Sequence, residues 1–219
     1  MYILAFDTTA AGCSIALFKD DRRLAGFSKS MDFGQAEVLI PEIKNVLDSQ
    51  NMAFADLNMV VVCTGPGSFT GVRSGISAAR AFGLACPELT VCGINAFEVY
   101  FHSLRPEELA ELNAVIIETK RDDFYYQIFD KNGQKITPPS AGTYDEIVNL
   151  LRYKKVSLIG DGVERFLMKP AGLSLHVIKL SDCLSVDDLA LCGGKRFEEK
   201  NTDFPKPLYL RAPDVCLKS

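Results

Sequence analysis

Two stretches of this chain gather residue types that can hold a phosphate. In Asp7-Thr8-Thr9 a carboxylate can face a cation while hydroxyls and backbone N–H groups face an anion. In Thr64-Gly65-Pro66-Gly67-Ser68-Phe69-Thr70-Gly71-Val72-Arg73 a glycine-rich turn leads from an apolar run into a helix, whose first N–H groups lack partners and attract anions. Asp7, Thr8, Thr9, Gly65, Gly67 and Ser68 are therefore the candidate nucleotide or phosphate residues. The loop completes no known template. A P-loop needs a lysine before its Ser or Thr, and none stands here. A dinucleotide fingerprint needs G-x-G-x-x-G, whereas these glycines run G-x-G-x-x-x-G, and a nucleophile elbow needs glycine where Pro66 stands. The same residues also suit an Asp/Thr turn bonded to its own backbone and a tight turn that lets a helix pack on a sheet, so both readings stay open.

Other chemistry is thinner. His102 and His176 lie far apart with no cysteine pattern beside them, so neither a metal site nor a histidine-activated nucleophile is expected. The seven cysteines form no C-x-x-C pair and lie mostly in apolar runs, which fits reduced core thiols of a cytoplasmic protein. Lys120-Arg121-Asp122-Asp123 reads as a solvated hairpin tip, and Gly160-Asp161-Gly162 is the only further pairing of a carboxylate with glycines. Lys plus Arg number 24 and Asp plus Glu 28, a net charge of −4, and basic residues come in ones and twos. That excludes a protein that grips nucleic acid by phosphate neutralisation alone. The 219 residues are 47% hydrophobic, enough for a sizeable core in one large domain or two small lobes. The uncharged stretch from Leu57 to Val72 is broken by Gly65, Pro66, Gly67 and Gly71 and reads as no membrane span, and Met1–Phe6 lacks the basic region of a secretion leader.

The elements that must carry these loops alternate in an orderly way. Strands are expected at Ile3–Phe6, Ser14–Phe18 and Arg23–Phe27, a helix from about Glu37 to Gln50, a buried strand at Met59–Cys63, a second helix to about Ala85 and a strand at Val91–Ile94. In the first helix Ala36, Leu39, Ile40, Ile43, Val46 and Leu47 share the apolar arc, and Pro41 asks for a start near Val38 or a kink. The second half repeats the order: strands at Ala114–Thr119 and Phe124–Phe129, a third starting near Lys135, a helix at Tyr144–Leu151, then Val156–Ile159, Val163–Met168, Leu175–Ile178 and a helix at Val186–Glu199. This is one ribonuclease-H-like unit written twice, an α/β fold with a mixed sheet in each lobe, divided as 1–104 and 105–219, the second a reduced lobe with an extended tail. The proline-bearing tail from Asn201 is expected to run extended over the surface.

The helix after the glycine loop is unusual because both of its sides are small. Gly71, Gly75, Ile76, Ala79 and Gly83 are assigned to its own sheet; Ser74, Ser77, Ala78, Ala81 and Ala85 are left outward, where another helix can approach the backbone. The exposed edge of the first helix, at Val38, Pro41 and Glu42, completes this candidate partner surface, which suits a contact of two helices from each of two subunits.

With Asp7-Thr8-Thr9 and the run Gly65-Pro66-Gly67-Ser68-Phe69-Thr70-Gly71-Val72-Arg73, the chain resembles the TsaB (YeaZ) family. Val38-Leu39-Ile40-Pro41, Glu118-Thr119-Lys120-Arg121 with Tyr125, and Pro207-Leu208-Tyr209-Leu210-Arg211 extend the resemblance over nearly the whole chain. Gly34-Gln35 replaces the family's frequent His-Ser, and Glu118-Thr119-Lys120-Arg121 its D-A-R-R. The resemblance implies an actin-like ATPase fold with a reduced second lobe. It also implies a non-catalytic dimerisation subunit in the synthesis of tRNA threonylcarbamoyladenosine. The implied partners are a homologous TsaD-type transferase, which carries the metal, and a TsaE-type P-loop ATPase. The chain itself is then expected to hold no cofactor, to meet tRNA only through the complex, and to pair with itself when alone. The alternative is a small-molecule kinase or ATPase of the same fold that uses Asp7 and the Gly65–Gly71 loop; a peptidase finds no nucleophile or base.

Overall fold

The computed structural model describes residues 1–10, 12–31, 33–169, 172–181 and 183–211. Strands β1 (Tyr2–Asp7), β2 (Gly12–Lys19) and β3 (Arg22–Ser30) form an antiparallel meander, with Ala5 opposite Ala16 and Ile15 opposite Phe27. Strands β4 (Met59–Cys63) and β5 (Thr90–Ile94) add in parallel, giving the order β3-β2-β1-β4-β5. All five residues of β4 are buried, because helices cover both faces of the sheet. Helices α1 (Gln35–Asp48) and α2 (Phe69–Ala85) lie on one face, with Leu39, Ile43, Val46, Val72, Ile76 and Ala79 packed against Leu4, Phe6, Val60 and Val62. Helix α3 (Ala96–His102) belongs to the other.

The second half repeats this wiring. Strands β6 (Leu112–Glu118), β7 (Asp123–Asp130), β8 (Ser140–Thr143), β9 (Lys155–Gly160) and β10 (Ser174–Leu180) take the order β10-β9-β6-β7-β8, which is the first sheet's order again. Its outer helices are shorter: α4 (Tyr144–Leu151) has 8 residues where α1 has 14, and α5 (Val163–Leu167) has 5 where α2 has 17. The reduction of the second lobe thus lies in its helices, not its sheet. Helix α6 (Val186–Glu198) follows β10 yet packs on β1, β2 and β4 of the first sheet. With α3 it fills the layer between the sheets, where Ile3, Val61, Phe97, Val115, Phe129, Ile159 and Leu189 share one buried cluster.

Four sequence expectations need correction. Helix α1 begins at Gln35 rather than about Glu37, because Gly34 adopts φ +89 and turns the chain into it; Pro41 is carried inside the helix. Its apolar arc is narrower than the wheel implied: Ala36 is exposed and Ile40 is 48% exposed, while Gln35 is buried and bonds the Met31 carbonyl at 3.1 Å. The third strand of the second sheet is Ser140–Thr143, since Lys135 makes only an isolated bridge to Phe129. The tail is extended, but Pro205 is buried and Leu208 and Leu210 reach the layer between the sheets. Pro213 and Cys216 lie outside the described residues.

Candidate functional site, a cleft between the sheets and a helix face outside it

The C-terminal ends of β1, β4, β6 and β9 meet at one cleft of about 910 Å³. Ligand sites of parallel strands lie at these ends because the βα turns put backbone amides and short loops there. Of the phosphate candidates, Thr9, Gly67 and Ser68 line the cleft, whereas Asp7 and Thr8 lie buried behind it. The hydrogen-bonding groups of this corner are turned inward. Asp7 Oδ1 accepts the Thr9 N–H at 2.8 Å, and Thr8 Oγ1 donates to the Gly71 carbonyl at 2.7 Å. Thr9 Oγ1 donates to Cys63 Sγ at 3.6 Å, and the Thr9 carbonyl accepts the Ser68 N–H at 2.8 Å. Burial pushes the Asp7 carboxyl above the usual carboxylate range and the Cys63 thiol well up.

The glycines are needed for this fit. Gly65 has φ +95, and a Cβ on Gly71 would overlap the Thr8 carbonyl oxygen, just as one on Gly67 would overlap that of Thr9. Ser68 caps α2 by accepting the Gly71 N–H at 3.3 Å. The glycine loop is thus a backbone-on-backbone joint between the first turn of α2 and the β1–β2 turn.

The opposite wall was only half legible in sequence. Glu118 ends β6 and accepts a two-pronged bond from Arg165, at 2.6 Å from Nε and 2.9 Å from Nη2. Burial alone would raise Glu118, but this arginine holds its carboxyl below the usual range. Asp161, in the turn after β9, accepts the Glu118 N–H at 2.9 Å. Burial, with the charges of Glu118 and Asp7, pushes its carboxyl up to about 6. Tyr100 of α3 also lines the cleft and is 4% exposed. Neither Arg165 nor Tyr100 stood out in sequence, since each is an ordinary helix residue until the sheets are brought together. Lys120 and Arg121 do stand at the tip joining β6 to β7, exposed, and line the same cleft. Among the described residues no group of three or more His, Cys, Asp and Glu side chains could hold a metal ion, and no helix is long and apolar enough to cross a membrane.

The proposed partner surface lies on the far side of α2. Gly71, Gly75, Ile76 and Ala79 face the sheet and are buried; a Cβ on Gly83 would meet Val91 Cγ2 of β5 at 2.7 Å. Ser77, Ala81 and Ala85 are exposed, and Ser74 and Ala78 half-buried. On α1, which packs beside α2, Pro41 is exposed and Val38 and Glu42 half-buried. Leu84, at 85% exposure, extends this bare face and had no sequence signal; Phe33, at 91%, stands bare at the cleft.

A family model described as TsaD, tRNA N6-adenosine threonylcarbamoyltransferase, matches residues 35–194. The tRNA threonylcarbamoyladenosine biosynthesis protein TsaB of Escherichia coli is 29% identical over 135 residues, covering 61% of this chain and 58% of that protein. The chain therefore spans somewhat over half the length of that relative. The structure of YeaZ from Pseudomonas aeruginosa superposes with a TM-score of 0.77 at 20% identity, over 95% of this chain and 99% of that one. A Bacteroides thetaiotaomicron protein with the actin-like ATPase fold gives a TM-score of 0.50 at 13% identity, over 87% and 95%. With its duplicated β3-β2-β1-β4-β5 sheet, its glycine joint and these matches, the chain belongs to the TsaB/YeaZ family of tRNA threonylcarbamoyladenosine biosynthesis proteins, on the actin-like ATPase fold.

Proposed function

We propose that this chain is a non-catalytic subunit that pairs with a larger TsaD-type homologue for N6-threonylcarbamoylation of the tRNA adenosine next to the anticodon. A TsaE-type P-loop ATPase joins the pair, and ATP and metal are handled by those partners. The observation that carries this reading is the outward face of α2, where Ser77, Ala81 and Ala85 stand exposed beside Leu84 at 85% exposure. A helix of 17 residues with so little polar coat is soluble at low cost only if a second surface covers it. Small side chains let a partner helix come close, and a homologous partner would offer the matching pair of helices. The same face then pairs with itself when the partner is absent.

The test is Ala81→Arg. The position faces away from the sheet, so the fold should be kept while a long cation enters the contact. The variant is expected to run as a monomer in solution and to lose co-purification with the TsaD-type partner. A folded variant that keeps both associations at unchanged affinity removes α2 from the interface.

The kinase or ATPase reading is favoured by one observation, that the Asp7 turn and the glycine loop share the cleft with Asp161. Against it stands the inward use of the same groups. Asp7 and Thr8 are bonded to their own loop and to Gly71, away from any ligand in the cleft.

A further inference from the structure

We propose that residues 201–211 are a latch that sets how far the two sheets stand apart across the cleft, whatever the partner is. Covalent crossings between the halves occur between α3 and β6 and between β10 and α6. The second brings Leu184 to one side of the cleft; the tail brings Leu208, Leu210 and Arg211 to the cleft as well.

The tail is fastened to the first half before it gets there. Arg196 of α6 pairs with Asp203 at 3.2 Å, and the Asp203 carbonyl accepts the Gly93 N–H of β5 at 2.8 Å. Arg80 of α2 donates to the Pro205 carbonyl from Nε at 3.1 Å and from Nη2 at 2.6 Å, with its guanidinium 5.3 Å from the Phe204 ring centre. Gly93 is required at this contact, since a Cβ there would come within 2.6 Å of Pro205 Cα. The Leu208 N–H then donates to the Thr64 carbonyl at 2.9 Å. Tyr209 packs on Phe69 with ring centres 4.8 Å apart and planes tilted by 33°, and its hydroxyl accepts from Arg73 Nε at 3.1 Å. The two arginines of α2 thus hold one extended segment.

Beyond Tyr209 the contacts change sides. Arg211 forms an ion pair with Asp123 at the start of β7, and its guanidinium lies 5.5 Å from the Tyr125 ring centre. The pair is partly enclosed, with side-chain exposures of 25% and 17%, so water screens it less than a surface pair. An anchor on one sheet and an ion pair to the other make a restraint on hinge motion about the two covalent crossings. Breaking the tie leaves the anchor in place, which makes the latch separable from the fold.

Hydrogen exchange on the full-length protein tests this with Arg211→Asp and with the exchanged pair Arg211→Asp/Asp123→Arg. The readout is the set of amides around Asp161, which border the cleft. Arg211→Asp should speed their exchange about tenfold while leaving β1 and β4 protected, and the exchanged pair should bring it back to the parent rate. Unchanged exchange around Asp161 overturns the proposal. So does a rise shared equally by both sheets that the exchanged pair does not reverse, since the tail would then support only global stability.

Discussion

Gly71→Ala is the sharpest test of the glycine joint. A Cβ at Gly71 would overlap the Thr8 carbonyl oxygen and come within 2.9 Å of its carbonyl carbon. Both are backbone atoms of a turn clamped between β1 and β2, so relief requires moving α2 off the sheet. Overpacking of this kind costs about 1–3 kcal/mol, and an immovable backbone neighbour places it at the upper end. The same displacement lengthens the 2.7 Å bond from Thr8 Oγ1 to the Gly71 carbonyl, a loss of about 1 kcal/mol. Alanine in place of glycine in a helix returns about 1 kcal/mol. The net expectation is a destabilisation of about 3 kcal/mol, which lowers the melting temperature of a chain this long by about 6–12 °C. Urea titration followed by circular dichroism measures it, with Gly194→Ala as the control. Gly194 is also helical, but the nearest atom to its Cβ would be the flexible end of Ile3, at 3.3 Å. That variant should be neutral or gain about 0.5 kcal/mol. If Gly71→Ala melts with or above the parent, the joint is not close-packed and the loop's glycines are there for something else.

Two further outcomes are expected. Asp161 binds its proton more tightly folded than unfolded, so its stabilising contribution is complete below the unfolded pKa near 4 and is lost as pH rises through about 6. Asp161→Asn should therefore raise stability at pH 7.5 by up to about 3 kcal/mol and change nothing at pH 4; equal urea midpoints for variant and parent at pH 7.5 would contradict the assignment. Calorimetry and a phosphate-release assay with ATP and magnesium should find no enzyme-like turnover by the isolated chain; robust turnover lost in Asp7→Ala would establish the kinase or ATPase reading instead.

The sequence by itself determined the elements and their repetition, because apolar periodicity and turn chemistry are written in neighbouring residues. It also determined that α2 has two small faces, since Gly71, Gly75 and Ala79 recur at helical spacing and so do Ser77, Ala81 and Ala85. The family resemblance was carried by the glycine run for a physical reason the structure supplies: Gly67 and Gly71 touch backbone, which tolerates no side chain. Contacts over long separations were not legible. Arg73 and Arg80 stand on one helix, and only the folded chain delivers Tyr209 and Pro205 to them, 136 and 125 residues away. Glu118 and Arg165 meet because β6 and the turn after β9 end at the same cleft. Ala36 and Ile40 were drawn into the core by periodicity, yet remain exposed, because how wide a stripe a helix buries is decided by the sheet and by the helix beside it. Propensity and pattern fix what each segment is; which side chains share a site is fixed by the packing of two five-stranded sheets about one buried layer.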